Sequence, residues 1–256
     1  KEIIRDSFCL ETENGIVTIV EIMGRNAGWL TGSAALSEGE DCEGPDLIYL
    51  PETTFDLQAF GGRVRELLEK KTSIVVAVSE GIRTADGTYV CELGNSIDFV
   101  DAFGHKQLSG TASYLASYIA GELGCKTRAI ELSTLQRSAS HAASRVDILE
   151  AYQVGGAAVK AADEGDTGKM VVLQRLSDDP YQCGTEVKDV HKIANDEKLV
   201  PREWVNEEGT YVTSEFISYV RPLIQGDVSP VMVDGIPRHL YTPRELSYRQ
   251  KKGNIE

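Results

Sequence analysis

The feature that most restricts the fold of this chain is an apolar strand that ends in a glycine turn. Residues 16–22 are mostly β-branched, and the run stops at Met23 and Gly24. Arg25 follows, and helix-compatible sequence resumes after Gly28. Open α/β sheets bind ligands at the carboxyl ends of their strands, and glycines let the backbone approach a ligand. Arg25 is therefore a candidate anion ligand; the alternative is that it pairs with a surface acidic group.

Strand-like and helix-like segments alternate along most of the chain. Apolar runs are separated by about 10–20 residues with helical spacing, which predicts parallel β-α-β units. The fold class is thus α/β, with a Rossmann-like three-layer α-β-α arrangement around a parallel sheet. The predicted strands are residues 16–22, 46–50, 73–78, 127–132 and 170–174, and the predicted helices are residues 28–37, 56–71, 106–123 and 139–162.

Composition excludes several classes of function. The chain has 26 Lys and Arg against 40 Asp and Glu, a net charge of −14, and no basic run, which argues against binding to nucleic acid. Its five cysteines are scattered without a C-x-x-C pair, so neither a disulfide framework nor a zinc site is indicated. The apolar runs are too short for a membrane span, and no secretory signal opens the chain. We expect a reduced, cytoplasmic protein without membrane or nucleic-acid partners and without a metal site in this chain.

Three of the predicted strands deliver polar residues at their carboxyl ends. The first delivers Arg25, the third delivers Glu80, and the fourth delivers Thr134 and Arg137. Because the carboxyl ends of parallel strands share one edge of a sheet, these four side chains are expected to converge. Two cations, a carboxylate and a hydroxyl suit a phosphorylated sugar: the cations bind phosphate and the carboxylate binds sugar hydroxyls.

Two other arginines require separate interpretations. Arg128 lies at the start of its predicted strand, so we expect it at the opposite edge of the sheet, outside a pocket formed within one subunit. Arg83 lies close to Glu80 in the sequence. The alternative to ligand binding is that Arg83 neutralises Glu80 in an ordinary ion pair, which would remove both from the site.

Three separated motifs and their spacing point to a known family. They are Val20-Glu21-Ile22-Met23-Gly24-Arg25 with Gly28, Ser79-Glu80-Gly81, and Thr127-Arg128-Ala129 with Gln136-Arg137. In order and spacing, residues 16–226 resemble the carboxyl-terminal half of a phosphofructokinase. The segments 26–29 and 101–106 are more similar to the pyrophosphate-dependent group of that family. The resemblance implies a phosphofructokinase-like fold that lacks the amino-terminal donor-binding part.

The resemblance also implies roles for individual residues. Met23, Gly24 and Arg25 would hold fructose 6-phosphate, and Arg25 would also be catalytic, by stabilising charge on the transferred phosphoryl group. Glu80 would accept hydrogen bonds from sugar hydroxyls. Arg137 would help to bind the sugar phosphate. The implied reaction is the glycolytic phosphorylation of fructose 6-phosphate to fructose 1,6-bisphosphate.

Three positions bear on how the sugar phosphate would be held. In the family, the arginine at the place of Arg128 reaches into the site of a neighbouring subunit, which implies a homo-oligomer. Thr134 stands where the family usually has an aromatic or histidine side chain near the sugar phosphate. Ile16 stands where many relatives carry a second arginine from across the interface. The last two departures weaken a literal transfer of the phosphate-binding set.

The family's donor site has no counterpart here. Neither the G-G-D phosphate loop nor the T-I-D-x-D segment with the general base occurs in the chain. We therefore expect a carboxyl-terminal fragment that is inactive alone, with Mg²⁺ and the donor, pyrophosphate or ATP, bound by the missing half. Residues 1–137 would form the sugar-phosphate-binding domain, residues 138–185 a crossover helix and strand that pack on the missing donor domain, and residues 186–256 helical segments and a tail.

Two alternatives remain open from the sequence. The chain could be a non-catalytic module that binds a sugar phosphate or regulates another protein. The other alternative is an unrelated flavodoxin-like domain in which the three motifs coincide by chance. Protection of the fold by fructose 6-phosphate would argue against the flavodoxin-like reading.

Overall fold

The computed structural model describes residues 1–10, 12–94 and 110–239, together with residues 242, 244, 247, 250 and 251. The first residues of the predicted helix 106–123, and the segment 101–106, lie outside the described residues. The helices and strands, in chain order, are α1 (Glu2–Cys9), β1 (Ile16–Ile22), α2 (Trp29–Gly32), β2 (Leu47–Tyr49), α3 (Leu57–Leu68), β3 (Ser73–Ser79), α4 (Thr111–Leu123), β4 (Lys126–Glu131), α5 (Ser133–Ser138), α6 (Arg145–Asp163), β5 (Lys169–Asp178), β6 (Tyr181–Asp189), α7 (Ser214–Val220), β7 (Met232–Val233) and β8 (Ile236–Pro237).

A four-stranded parallel sheet with the order β2-β3-β1-β4 forms the centre of the fold. Strand β1 pairs with β3 on one side and with β4 on the other, and Ile16 lies opposite Ser73 and Lys126. All seven residues of β1 are buried. A strand that is covered on both faces has no polar side to present, which explains its nearly continuous apolar sequence.

Each face of the sheet carries its own hydrophobic core. Val17 and Ile19 belong to the core shared with α3 and α4, whereas Val20 and Ile22 belong to the core shared with α7 and the segment just before it. Successive side chains of a strand point to opposite faces, so β1 contributes to both cores. The predicted three-layer α/β arrangement with a parallel sheet is confirmed.

Local sequence explains where several elements begin and end. Asp56 accepts a hydrogen bond from the backbone N–H of Ala59 at 2.8 Å, so α3 begins with a side-chain cap. Ser144 caps α6 in the same way by accepting from the N–H of Asp147. Helix α6 therefore begins at Arg145, six residues after the predicted start. The predicted helix 28–37 is the four-residue α2 followed by a 3₁₀ turn, Ser33–Ser37.

Residues 170–174 form a strand, as predicted, but within the described residues this strand does not join the parallel sheet. These residues lie in β5, which pairs antiparallel with β6 in a separate two-stranded sheet. Only two residues, Asp179 and Pro180, connect β5 to β6. A connection this short permits only an antiparallel hairpin, because a parallel partner needs a crossover of a dozen residues or more.

No helix within the described residues combines the length and the apolar character that crossing a bilayer requires. All five cysteines are free thiols.

Phe216 joins α7 to the sheet and gives a test of this packing. Its side chain is 0% exposed, and its ring lies where a Cβ on Gly32 would come within 2.5 Å. We expect Phe216→Ala to lower the free energy of unfolding by about 3–5 kcal/mol, since it removes a large buried ring and leaves a cavity. Urea denaturation measures this. Tyr152→Ala, at a side chain that is 80% exposed, is the control and should change stability by no more than about 0.5 kcal/mol.

Candidate functional site

Three turns meet at the carboxyl edge of the parallel sheet. The turn after the inner strand β1 lies between the ends of β3 and β4, and it is bonded to both neighbours. The backbone N–H of Gly24 donates to Glu80 Oε1 at 3.3 Å, and the N–H of Met23 donates to Gln136 Oε1 at 3.0 Å. Residues that are more than 50 positions apart in the chain thus lie side by side, as the strand order predicts.

The backbone of Arg25 approaches β3 so closely that only glycine fits opposite it. A Cβ added to Gly81 would lie 1.7 Å from the carbonyl oxygen of Arg25. The hydroxyl of Ser79 donates to the carbonyl oxygen of Gly24 from the same side. Gly24 itself has φ 153°, and a Cβ there would meet the carbonyl oxygen of Ala27 at 2.8 Å. The two glycines therefore fix the path by which Arg25 leaves the sheet.

Glu80 lies within the electrostatic range of both arginines predicted to bind phosphate. Partial burial raises the pKa of Glu80, while the N–H of Gly24 and the positive charges of Arg25 and Arg137 act in the opposite direction. Both guanidinium groups are thus close enough to affect the ionisation of this carboxyl. The structure brings Met23, Gly24, Arg25, Glu80 and Arg137 to one edge, while their roles remain predictions.

Arg83 is engaged away from Glu80. Its Nη2 donates to Asn26 Oδ1 at 3.1 Å and to the hydroxyl of Tyr89 at 2.5 Å. Its guanidinium also lies 4.3 Å from the centre of the Tyr89 ring, within the range of a cation–π interaction. The alternative in which Arg83 neutralises Glu80 is not what the geometry shows: Arg83 holds the turn through Asn26.

The residues after β4 form a short helix that sequence reasoning treated as a strand end. Thr134 and Arg137 lie in α5 with exposed side chains, at the same edge of the sheet as Arg25. Gln136, in the same helix, is half-buried and is the residue that bonds the turn. The Gln136-Arg137 motif contained the signal for this contact, but Gln136 received no role from the sequence.

Arg128 is not brought to this group. It lies in the first half of β4, opposite Thr18 of β1, and its Nη1 is 2.6 Å from Asp6 Oδ2 of α1. Asp6 is part of a helix that ends before β1 begins, at the amino edge of the sheet. The side chain of Arg128 thus points away from Arg25 and Glu80.

Glu21 is a buried carboxyl beneath the site that received no role from the sequence. It is 5% exposed, and its Oε2 accepts from the N–H of Ala112 in the first turn of α4 at 3.0 Å. The pKa of Glu21 is raised to about 7, mainly by burial; the hydrogen bond from Ala112 acts in the opposite direction, and the charges of Glu131 and Glu80 contribute to the rise. Glu131 lies directly opposite Glu21 on β4. A single acidic residue in an apolar strand was the available sequence signal.

Among the described residues, no cluster of three or more His, Cys, Asp or Glu side chains is arranged to hold a metal ion. The described residues thus provide no ligand cluster for a resident Mg²⁺ ion.

Gly81→Ala tests the close approach of the Arg25 backbone. The added methyl group would overlap the Arg25 carbonyl, so the turn or β3 must shift; we expect a loss of about 1–3 kcal/mol in the free energy of unfolding. Gly62→Ala is the matched control, because no atom lies within 4 Å of its added Cβ and alanine favours the interior of α3. If urea denaturation gave the same free energy of unfolding for Gly81→Ala and Gly62→Ala, the close approach of the Arg25 carbonyl to Gly81 would be contradicted.

Glu21 predicts a specific dependence of stability on pH. The folded chain holds the Glu21 proton more tightly than the unfolded chain, whose pKa is near 4.5. The stabilisation is complete below pH 4.5 and is lost as the pH rises through about 7. As the pH rises from 4.5 to above 7, the free energy of unfolding of Glu21→Gln should increase by up to about 3 kcal/mol relative to that of the wild type. Denaturation at several pH values measures the difference, and parallel stability profiles of the two proteins would contradict it.

Comparison with known proteins gives consistent matches. The family model described as "Phosphofructokinase" matches residues 10–162. The pyrophosphate–fructose 6-phosphate 1-phosphotransferase of Halomonas elongata is 40% identical over 222 residues, which cover 87% of this chain and 52% of that protein. The enzyme of the same name from Xanthomonas campestris is also 40% identical, over 88% of this chain and 53% of that protein.

Solved structures agree with the sequence matches. The pyrophosphate-dependent phosphofructokinase of Nitrosospira multiformis superimposes with a TM-score of 0.78 at 31% identity, covering 93% of this chain and 55% of that one. The corresponding structure from Marinobacter aquaeolei gives 0.75 at 30% identity, covering 93% and 54%. The chain thus spans about half the length of the relatives that it matches. The resemblance found in the sequence is confirmed, and the chain belongs to the phosphofructokinase family of phosphotransferases.

Proposed function

We propose that this chain is the fructose 6-phosphate-binding part of a phosphotransferase that forms fructose 1,6-bisphosphate in the cytoplasm, in glycolysis. The observation that carries the proposal is the meeting of three turns at one edge of the sheet, where the Gly24 amide donates to Glu80 and the Met23 amide donates to Gln136, next to Arg25 and Arg137 in the chain. Pyrophosphate is the proposed donor, because the names of the relatives given above include it. ATP is the alternative donor.

The charges at the edge suit a sugar monophosphate. Arg25 and Arg137 supply two cations whose forked N–H groups match phosphate oxygens, and Glu80 supplies acceptors for sugar hydroxyls. In the free chain the charges of both cations act on the Glu80 carboxyl. Binding would let the phosphate take over the arginines while Glu80 turns to the hydroxyl groups. The close packing of the Arg25 backbone on Gly81 fixes the backbone from which one cation extends before the ligand arrives, which lowers the entropic cost of binding.

Arg25 is also the proposed catalytic residue. Phosphoryl transfer depends mainly on positioning the reactants and on neutralising charge in the transition state. Arg25 suits both requirements, because it follows a buried strand and the backbone of residues 24 and 25 is fixed by contacts with Ser79 and Gly81. The donor, the general base and Mg²⁺ are proposed to belong to protein outside this chain.

The rest of the chain is proposed to contact that missing part. Residues 1–137 are the sugar-phosphate-binding domain, residues 138–185 pack on the donor domain, and residues 186–256 form the carboxyl-terminal segments. Support comes from large apolar side chains that are exposed on α6 and on the β5-β6 hairpin: Ile148, Leu149, Tyr152, Val159, Met170, Leu173, Leu176 and Val187. Apolar surface of this extent is typical of a contact surface.

Arg128 is proposed to act across a homo-oligomer interface. Its position near the amino edge, bonded to Asp6, keeps it from the Arg25 edge of its own sheet. It would exchange Asp6 for the sugar phosphate of a neighbouring subunit.

Titration with fructose 6-phosphate by calorimetry tests the site. Arg25→Ala and Arg137→Ala should each weaken binding by about 10–150-fold, because each removes charged hydrogen bonds worth about 1.5–3 kcal/mol. Glu80→Gln should weaken binding less, since the amide still accepts one hydrogen bond. Arg65→Ala, at an exposed arginine on α3, is the control for a change in net charge. Unchanged affinity in both Arg25→Ala and Glu80→Ala would place the pocket elsewhere.

A further inference from the structure

A carboxylate outside the predicted site holds the Arg25 turn, defined here as residues 23–28. Glu52 follows β2, and its Oε1 accepts two backbone hydrogen bonds at once: from the N–H of Gly28, at 2.9 Å, and from the N–H of Val200, also at 2.9 Å. Val200 is 3% exposed and lies about 170 residues beyond the turn in sequence, in the segment that leads to α7. One oxygen atom thus joins two distant stretches of backbone.

Two more hydrogen bonds, one from the turn and one from the first residue of α2, reach the clamp segment, defined as residues 197–200. The side-chain Nδ2 of Asn26 donates to Glu197 Oε1 at 2.5 Å, and Nε1 of Trp29 donates to the carbonyl oxygen of Lys198 at 2.6 Å. The other end of the Asn26 amide accepts from Arg83. The turn is therefore held on the sheet side by β3 and on the outer side by the clamp segment.

The packing around Glu52 is tight, and one of its two carboxylate oxygens has no hydrogen-bond partner among the described residues. A Cβ on Gly28 would come within 2.8 Å of Glu52 Oε2 and 2.9 Å of the Leu50 side chain. Oε2 is the oxygen without such a partner in the described part of the chain, and it is buried. The contacts of the Glu52 carboxylate are thus concentrated on Oε1, which joins the two amides. What the carboxylate provides is geometry: a fixed distance between the turn and the clamp segment.

We propose that Glu52 is a positioning residue that locks the Arg25 turn to the clamp segment, so that the presentation of Arg25 depends on residues 197–200 being docked. The lock itself follows from the contacts of Glu52. Its consequence for sugar-phosphate affinity rests on the proposed function.

Hydrogen exchange of the 256-residue chain tests the lock without any ligand. Glu52→Ala and Glu52→Asp, whose shorter side chain cannot bridge both amides, should raise exchange at Gly28 and Val200 at least about threefold through local opening. Glu52→Gln keeps the bridging oxygen and should restore wild-type exchange to within about twofold. If Glu52→Ala does not fold, the comparison of Glu52→Asp with Glu52→Gln decides the matter.

Val64→Ala is the matched control for a general loss of stability. Val64 is fully buried in the core on the opposite face of the sheet, so its truncation weakens the fold without touching the lock. Exchange at Gly28 and Val200 should stay at the wild-type level in this variant. The lock is overturned if Glu52→Asp leaves both amides protected, or if Val64→Ala exposes them as much as Glu52→Asp does.

Calorimetry with fructose 6-phosphate then tests the consequence. Glu52→Asp should weaken binding about tenfold, since a displaced turn misplaces Arg25, while Glu52→Gln should bind like the wild type. Absence of binding by the wild-type chain would overturn the proposed function, and the exchange results would still decide the lock. Normal binding by a Glu52→Asp chain with exposed amides would overturn the dependence of Arg25 on the clamp segment.

Discussion

The missing side chain at Gly81 is the constraint on which the site depends. Because the Arg25 carbonyl occupies the space that a Cβ would need, the backbone after β1 can only follow one path across the end of β3. Gly24, Glu80 and Gln136 then come within hydrogen-bonding distance of that path. The path of the backbone at the predicted anion site is thus set by backbone packing.

Much of this could be predicted from the sequence because the relevant signals are local or periodic. The β-branched run of β1 and the helical spacing of α3 each encode their own element, and parallel order follows from their alternation. The convergence of Arg25, Glu80 and Arg137 needs only the rule that parallel strands end at one edge. The resemblance to the family then assigned a predicted role to each of these residues, which the position of a residue alone does not do.

Other features could not be predicted, since they depend on contacts between distant parts of the chain. Residues 170–174 have an apolar pattern that suits either kind of sheet, and only the two-residue connection to β6 excludes the parallel one. Nothing in the local sequence of Glu52 points to Gly28 or Val200, because its partners are backbone amides. Arg83 lies close to Glu80 in sequence, yet Asn26 and Tyr89 offer it better geometry.

The sharing of β1 between the two cores has a further consequence for how the domain comes apart. Val17 and Ile19 anchor one layer of helices, and Val20 and Ile22 anchor the other, so neither layer can separate without pulling on the same seven residues. The central strand therefore couples the two layers through its packing. Arg25, three residues beyond the end of that strand, is attached to the element on which both cores are built.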